Sequence, residues 1–424
     1  MTCEVAIMNK YAVVIAADSA VTTSDGMGAV RYSKGGNKIF QLSHHEPVGI
    51  MIYGAATLEG VPWEIIIKAF RDQLRDASFS KLPEYGVAFF NFVKSAQYLF
   101  PDADIRANYR KRLNAAAVRL IEEGKQKYPE IADLTIADQI RKLRWDTFLL
   151  EKNAELDGLA QHAAIAAGAC STAMNSVHTE IPGDVQAFLD GQNLGNVVDI
   201  AMWFRTACYN FYAMHALFLN STGIVLSGFG REQYFPQVIE YEVPGFVNQD
   251  FVYTKIDHNS CEIGHETPAA ISQFAMTSSI DAFTQGLDVE AYSQARDCYR
   301  AEVKTLAKSL LDAAGAALPV DLDTQIELST SAFSQQWVSN VADLHYHPMK
   351  RIIASLPIEE MAHLAETLVV LQSLKERVTS PSQSVGGPID VAVITKSEGL
   401  VWIKRKHFFD AEKNLRYVIR QQTT

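Results

Sequence analysis

Segments with the pattern of β-strands lie at both ends and in the middle of the 424-residue chain, and long segments with helical period separate them. Residues 4–8 and 11–17 are apolar, rich in branched side chains and two residues apart, so they predict a β-hairpin. Residues 38–42 and 48–53 are almost continuously apolar, which indicates strands that are buried on both faces. A sheet of such strands must be covered by a second layer.

The rest of the chain alternates between helical blocks and strands. A helical pattern covers 58–220, strands resume between 223 and 256, a second helical block covers 266–380, and closing strands lie in 381–424. Two sheets flanked by helices would use every element of this order. We therefore expect an α+β fold in a single domain, 1–424, with two antiparallel sheets between helices in a four-layer αββα sandwich. The block 58–220 would be a large helical insertion.

The composition predicts a globular protein and argues against several functions. With 48% hydrophobic and 21% charged residues, the chain can bury a sizeable core. A formal charge of -11 argues against sequence-independent nucleic-acid binding, which needs Lys and Arg to neutralise phosphates. The five cysteines are odd in number and form no CxxC pair, so we expect a reducing cytoplasm rather than a disulfide framework or a zinc site. Neither a signal peptide nor a membrane span is expected.

The start of the chain suggests a catalytic use of its second residue. If Met1 is removed, Thr2 carries both a hydroxyl nucleophile and a free α-amine, whose ordinary pKa of about 8 suits a base near neutral pH. Such chemistry also needs a strand that holds the terminus, a nearby cation, a carboxylate that holds the cation, and a backbone N–H that faces the oxyanion. Taken alone, Thr2 would be no more than a frayed terminus.

The residues that follow supply a candidate for each of these parts. The strand at 4–8 would hold the terminus, Asp18 ends the second strand, Lys38 opens the third and Gly54 ends the fourth. Each has a simpler explanation when taken singly: Asp18 as a turn residue, Lys38 as a strand-edge lysine and Gly54 as a packing glycine. Their joint order behind Thr2 favours the catalytic interpretation.

Three runs of sequence, 2–22, 38–42 and 53–56, resemble the start of proteasome β subunits and their bacterial relatives, which are N-terminal-nucleophile (Ntn) hydrolases. Segments 223–243 and 384–391 are similar to that family's middle and closing strands. The resemblance implies the Ntn-hydrolase form of the four-layer sandwich, with helical insertions larger than the family norm.

The resemblance also implies roles for individual residues. Thr2 would be the nucleophile, Asp18 the carboxylate, Lys38 the lysine and Gly54 the donor in the oxyanion hole. Lys38 matches only if the preceding loop is longer than usual, and Lys34 is the rival at this position. Lys38 is preferred because it keeps its place against the strand that follows.

Further features of the site follow from the same resemblance. The backbone of Thr22 would pair with a bound peptide, and Val21, Ile52 and Ala56 would line a primary pocket for an apolar side chain. The substrate would be a peptide or protein, and neither a metal nor an organic cofactor would be needed. The family assembles as rings, which implies a homo-oligomer and is compatible with a partner that unfolds substrates.

The chain departs from the family at the residues that support the nucleophile. The family carries a serine and an Asp-x-x-Ser pair there. Ser382 and Ser384 lie at about the right place but lack the aspartate. The run from Asp281 to Thr284 has a residue pattern similar to that of the Asp-x-x-Ser pair, yet it lies about a hundred residues before the closing strand that it should precede.

The sequence thus predicts an enzyme, a threonine-type amidohydrolase and most simply a peptidase, which works through an acyl-enzyme at Thr2. Two alternatives stay open. One is a small-molecule amidase in which the helical block closes the cleft around a compact ligand. The other is a catalytically silent structural subunit, which the missing supporting residues would explain.

Overall fold

The computed structural model describes residues 2–24, 30–286, 288–317, 319–379, 386–407, 409 and 412–414. Its elements confirm the α+β class with antiparallel sheets. The strands are β1 (Cys3–Asn9), β2 (Ala12–Ala17), β3 (Val21–Ser24), β4 (Val30–Ser33), β5 (Ile39–Gln41), β6 (Val48–Gly54), β7 (Thr57–Leu58), β8 (Val61–Pro62), β9 (Thr222–Gly228), β10 (Gln237–Val247), β11 (Asp250–Glu262), β12 (Ala269–Ala275), β13 (Asp390–Thr395) and β14 (Gly399–Lys404).

Helices occupy the two long stretches between the strands. They are α1 (Trp63–Leu74), α2 (Leu82–Ser95), α3 (Asp102–Lys127), α4 (Asp138–Asp157), α5 (Ala169–Ser176), α6 (Val185–Gly191), α7 (Ile200–Ala213), α8 (Ser278–Gln285), α9 (Val289–Ala313), α10 (Leu322–Val341), α11 (His347–Ile353) and α12 (Ile358–Thr379). A π-helical turn, Ala342–Tyr346, joins α10 to α11. None of the helices in the described ranges combines the length and hydropathy that a membrane crossing requires.

Two five-stranded antiparallel sheets form the centre of the protein. The first has the order β12-β1-β2-β13-β14, and the second has the order β11-β10-β9-β6-β5. The predicted N-terminal hairpin is present, because β1 and β2 pair with Glu4 opposite Ala17 and Met8 opposite Val13. β1 is an inner strand, since β12 pairs with its other edge and places Ala275 opposite Cys3.

One expectation about the second helical block was wrong. Residues 269–275, inside the block 266–380, form the edge strand β12 rather than a helix. The apolar segment is too short for its helical or strand character to be settled by period alone. The open edge of β1 supplies the backbone hydrogen-bonding partners that make the segment a strand.

The two sheets pack face to face, as the doubly buried strands require. Ala6 and Met8 of β1 share a hydrophobic cluster with Met51 of β6 and Val225 of β9. The intervening side chains of β1, such as Ile7, point to the opposite face and pack against α12, because successive residues of a strand alternate between faces. β1 is therefore buried along its whole length.

The helices between β8 and β9 serve two purposes. The first two, α1 and α2, cover the outer face of the second sheet with Trp63, Phe70 and Phe89. The helices α3, α4 and α7 form a separate hydrophobic cluster around Trp145 and Trp203. The block is thus partly a cover for the sheet and partly a core of its own.

Candidate active site

Thr2 lies at the start of β1, inside the first sheet rather than at a frayed end. Its carbonyl oxygen accepts a hydrogen bond from the Met276 N–H at 3.0 Å, just beyond β12. Its exposed fraction is 8%. The strands on either side of β1 therefore fix the position of residue 2, as a catalytic N-terminus requires.

Lys38 joins Thr2 to Asp18. The Lys38 ammonium Nζ donates to Thr2 Oγ1 at 3.0 Å and to Asp18 Oδ1 at 2.6 Å. All three residues are buried. Asp18 follows β2 and Lys38 precedes β5, so the contact bridges the two facing sheets. The main chain of Lys38 is also held, because its carbonyl accepts from the Ile52 N–H at 3.0 Å.

The Asp18 carboxylate is surrounded by donors. In addition to Lys38, its Oδ1 accepts from the Cys3 N–H at 3.1 Å. Its Oδ2 accepts from the Ala20 N–H at 3.2 Å and the Gly386 N–H at 2.9 Å. A buried ion pair is stable only when its remaining lone pairs are satisfied in this way. The carboxylate thus holds both the lysine and the first strand in place.

Gly54 occupies a position that a larger residue would distort. Its φ is +80°, and a Cβ at this position would lie 2.6 Å from the Ser221 carbonyl oxygen. L-residues with a side chain rarely adopt such a conformation. The glycine therefore allows β6 to turn sharply at the edge of the site.

A cavity of about 150 Å³ opens beside Thr2. We call it the Thr2 cavity. It is lined by Thr2, Ala20, Val21, Asn37, Lys38, Ile52, Tyr53, Gly54, Ala55 and Ala56. The structure thus brings together Thr2, Lys38, Gly54 and the three predicted pocket residues, whereas Ala20, Asn37, Tyr53 and Ala55 were not predicted. Each of these four is a sequence neighbour of a predicted residue, and that proximity was the only available signal.

The other predicted site residues have different outcomes. Thr22 lies in β3, where its backbone position is opposite Tyr32 of β4. Ser382 and Ser384 lie outside the described residues. Lys34 lines a different cavity together with Glu64 and Arg405, so Lys38 is the lysine that reaches Thr2.

The segment from Asp281 to Thr284 forms part of α8, which follows β12 closely. Asp281 Oδ2 accepts from Thr277 Oγ1 at 2.6 Å, and burial raises the pKa of the Asp281 carboxyl. Thr284 Oγ1 donates to the Ile280 carbonyl at 2.7 Å within the helix. Within the described ranges, neither residue forms a hydrogen bond with Thr2.

Glu4 is a buried acid that the sequence did not single out. It is fully buried, and neither of its carboxyl oxygens has a hydrogen-bond partner among the described residues. Burial raises its pKa well above the ordinary value, while nearby Lys38 acts in the opposite direction. Burial therefore favours the neutral form of this carboxyl.

Cys3 is not an alternative nucleophile in this geometry. Its side chain is fully buried in the cluster against α12. Burial, followed by the charge of Asp18, raises the pKa of the Cys3 thiol well above its ordinary value. The reactive thiolate is therefore disfavoured. Within the described ranges, no group of three or more His, Cys, Asp or Glu side chains could hold a metal ion.

The chain matches no protein-family model and no curated protein. Solved structures that it resembles include the helical assembly of the Anbu complex from Pseudomonas aeruginosa. The sequence identity between this chain and the Pseudomonas aeruginosa chain is 11%. The match covers 100% of this chain and 92% of the Pseudomonas chain, and the TM-score is 0.31. The Anbu (Gly-1) mutant from Hyphomicrobium sp. strain MC1 is another, with 10% identity, coverage of 100% and 97%, and a TM-score of 0.29.

These comparisons contradict the assignment of the chain to the proteasome β-subunit family of Ntn hydrolases. No family model recognises the sequence, and TM-scores of 0.31 and 0.29 are too low to argue for a shared fold. The expectation of membership rested on short runs around buried strands, and such runs recur in unrelated layered sheets. That assignment was wrong, and the geometry around Thr2 has to be interpreted from its own residues.

Proposed function

We propose that this protein is an amidohydrolase in which Thr2, once freed of Met1, is the nucleophile. The observation that carries the proposal is the contact of Lys38 Nζ with Thr2 Oγ1 at 3.0 Å and with Asp18 Oδ1 at 2.6 Å. A buried ammonium beside a hydroxyl stabilises the alkoxide that develops on attack. The cavity beside Thr2 leaves room for a reacting group at the same point.

The proposed reaction passes through an acyl-enzyme. Thr2 Oγ1 attacks the amide carbon, and its proton passes to the α-amine of the same residue. The oxyanion faces the Gly54 N–H, and collapse of the tetrahedral intermediate expels the amine, which takes the proton. Water then attacks the ester on Thr2, the α-amine accepts its proton, and the acid leaves as Thr2 Oγ1 is reprotonated.

The substrate is proposed to be a peptide, with a small-molecule amide as the second candidate. The Thr2 cavity, at about 150 Å³, is smaller than the about 300–1,000 Å³ of whole-ligand pockets, so it would hold only part of either substrate. The Thr2 cavity suits one side chain or one compact acyl group. Peptide reporters and acyl-amide reporters separate the two substrate classes by their relative rates.

The wider organisation is part of the same proposal. We propose one domain in which the two sheets lie between helix layers, since α12 covers one outer face and α1 and α2 cover the other. A cytoplasmic location is supported by the five cysteines, all of which are free thiols. Self-association is supported by exposed apolar side chains on α9 and α10.

The decisive experiment is trapping of the nucleophile. Intact mass first establishes whether the purified protein begins at Thr2. A β-lactone probe should then add to residue 2, as located by mass spectrometry of the N-terminal peptide. Thr2→Ala should abolish labelling, whereas Thr2→Ser should retain it. A retained Met1, or no labelling of residue 2, contradicts the proposal and favours a catalytically silent protein. Labelling that survives Thr2→Ala also contradicts it, because the reactive group would then be another residue.

A further inference from the structure

A second and larger cavity adjoins the Thr2 cavity. Its volume is about 650 Å³, within the range of ligand sites. We call it the acidic cavity. It is lined by Tyr53, Ser221, Gly223, Glu240, Glu242, Ile256, His258, Asn259, Gln273, Ala275, Thr277, Asp281, Gln285 and Val289.

Two features place the acidic cavity next to the proposed nucleophile. Tyr53 lines both cavities and therefore forms a shared wall. Ala275 and Thr277 line the acidic cavity and flank Met276, whose N–H donates to the Thr2 carbonyl at 3.0 Å. The acidic cavity is therefore a neighbour of the point at which Thr2 is proposed to attack.

The lining of this cavity is strongly acidic. Glu240, Glu242 and Asp281 contribute carboxyl groups, and none of the described residues that line it is Lys or Arg. Carboxylates brought together in this way create a negative potential inside a concave site, where it is screened less than on an open surface. The imidazole of His258 also lines the cavity.

Glu240 supplies the second, independent sign of a ligand. Its exposed fraction is only 3%. The Tyr53 hydroxyl donates to its Oε1, whereas its Oε2 has no hydrogen-bond partner in the part of the chain that the structure describes. Leaving a buried carboxylate oxygen without a donor is costly, so a donor from a ligand would be stabilising.

Gln273 shows the same deficit on another wall. Its side-chain amide donates to Asp281 Oδ1, and its own Oε1 lacks a partner within the described ranges. The lining therefore contains two side chains that each carry a buried acceptor without a partner among the described residues, together with negative charge. Ammonium and guanidinium groups carry only donors and a positive charge, so they match this lining best.

We propose that the acidic cavity binds a cationic group, an ammonium or a guanidinium, of the amide that Thr2 attacks. This inference rests on the proposed function, because it names the substrate class of the same site. The Thr2 cavity would take the acyl group or side chain next to the reacting carbonyl. Glu240 would be the main charge partner, with Asp281 and Glu242 around it.

The test measures binding rather than turnover. N-acetyl-arginine amide and its neutral isostere N-acetyl-citrulline amide are titrated by calorimetry into the Thr2→Ala protein. The arginine compound should bind at least about tenfold more tightly, as expected for one charge-assisted pair. Glu240→Gln should remove most of this preference. The control Glu122→Gln, at an exposed position on α3, should leave it unchanged.

The outcomes separate this inference from the proposed function. Equal affinities for the two compounds, or no measurable binding of either, would overturn the cationic preference even if Thr2 is labelled by the β-lactone. A clear preference for the arginine compound in a protein whose Thr2 is never labelled would support the cation site and contradict the proposed hydrolase activity. If Glu240→Gln fails to fold, Glu242→Gln at an exposed position should still reduce the preference, by a smaller factor, and an unchanged preference would contradict the proposal.

Discussion

Lys38 is the residue on which the proposed chemistry at Thr2 depends. Its ammonium is almost completely buried, and its hydrogen-bond partners among the described residues are Asp18 and Thr2, both of which benefit from a positive charge. Lys34 has the same side chain a few residues earlier but lines another cavity. The chain therefore contains its own matched control for the role of a lysine near the nucleophile.

We predict that Lys38→Ala lowers the rate of β-lactone labelling at Thr2 by about 100-fold or more, because it removes the charge that activates the hydroxyl. It should also cost about 3–5 kcal/mol of unfolding free energy, since Asp18 is left buried without its partner. Lys34→Ala should change neither quantity appreciably. Labelling is followed by intact mass and stability by urea denaturation. Equal labelling rates for the two variants would contradict the role of Lys38.

Glu4 gives a second test at the residue scale. Burial raises the pKa of Glu4 above its ordinary value of 4.5. Above pH 4.5, the folded protein therefore retains a proton on Glu4 that the unfolded chain has released. The contribution of Glu4 to stability is full below about pH 4.5 and is lost as the pH rises toward its folded-state pKa. Glu4→Gln cannot titrate. We predict that the stability of the wild type relative to Glu4→Gln falls as the pH increases above 4.5.

The measurement is urea denaturation of both proteins between pH 4 and 8, because their difference cancels titrations that they share. Glu122→Gln on the surface of α3 is the control and should show no pH-dependent difference from the wild type. A wild type that gains stability relative to Glu4→Gln with rising pH would mean that Glu4 is ionised in the folded protein.

At the scale of elements, the end of β6 determines the shape of the Thr2 cavity. Gly54 has a positive φ, and its Cα faces the Ser221 carbonyl just before β9. Gly60, between β7 and β8, also has a positive φ of +87°, but nothing lies within 4 Å of its missing Cβ. Alanine variants at the two positions therefore separate the cost of backbone strain from the cost of steric contact.

We predict that both Gly54→Ala and Gly60→Ala are destabilised by about 1 kcal/mol or more through strain at positive φ. Gly54→Ala should lose more than Gly60→Ala, because its methyl group would meet the Ser221 carbonyl. It should also slow the labelling of Thr2, since the edge of the cavity moves. Thermal unfolding and labelling rates of the pair provide the comparison. Equal losses of stability in the two variants would contradict the prediction, because they would show that the contact of the new methyl group with Ser221 adds no cost.

At the scale of the whole molecule, the α9–α10 pair stands out because it contributes little to the core. None of the described residues of the 25-residue helix α9 is buried. The two helices contact each other through the stacked rings of Tyr299 and Phe333, whose centroids are 4.3 Å apart. Leu306 and Leu310 remain more than half exposed. Exposed apolar groups on one element are typical of an interaction surface.

We predict that the protein self-associates through this surface. The wild type should elute at a multiple of its 47.0 kDa chain mass in size-exclusion chromatography with light scattering. The double variant Leu306→Glu/Leu310→Glu should shift toward the monomer mass, because charges are excluded from apolar interfaces. Leu143→Glu, at an equally exposed leucine of α4, is the control and should not shift. A monomeric wild type would contradict the prediction.

The structure agrees best with the predictions from sequence near the N-terminus. The hairpin of β1 and β2 was predictable because apolar strands with a two-residue connection have few alternatives. The strand β12 was not, since a short apolar segment takes its conformation from the edge against which it packs. The family assignment failed for a related reason, because local patterns around buried strands do not define a family.

The sequence by itself determined most of the order of strands and helices, with β12 as an exception, the buried character of β1, and a set of residues that could form an N-terminal threonine site. Periodicity and composition carry that information because they reflect local conformation and burial. Only the tertiary structure decided that Lys38 rather than Lys34 reaches Thr2, that Glu4 is buried without a hydrogen-bond partner in the described part of the chain, and that Glu240 and Asp281 share a cavity. Those relations join residues that are distant in the chain, and they exist because two sheets pack face to face.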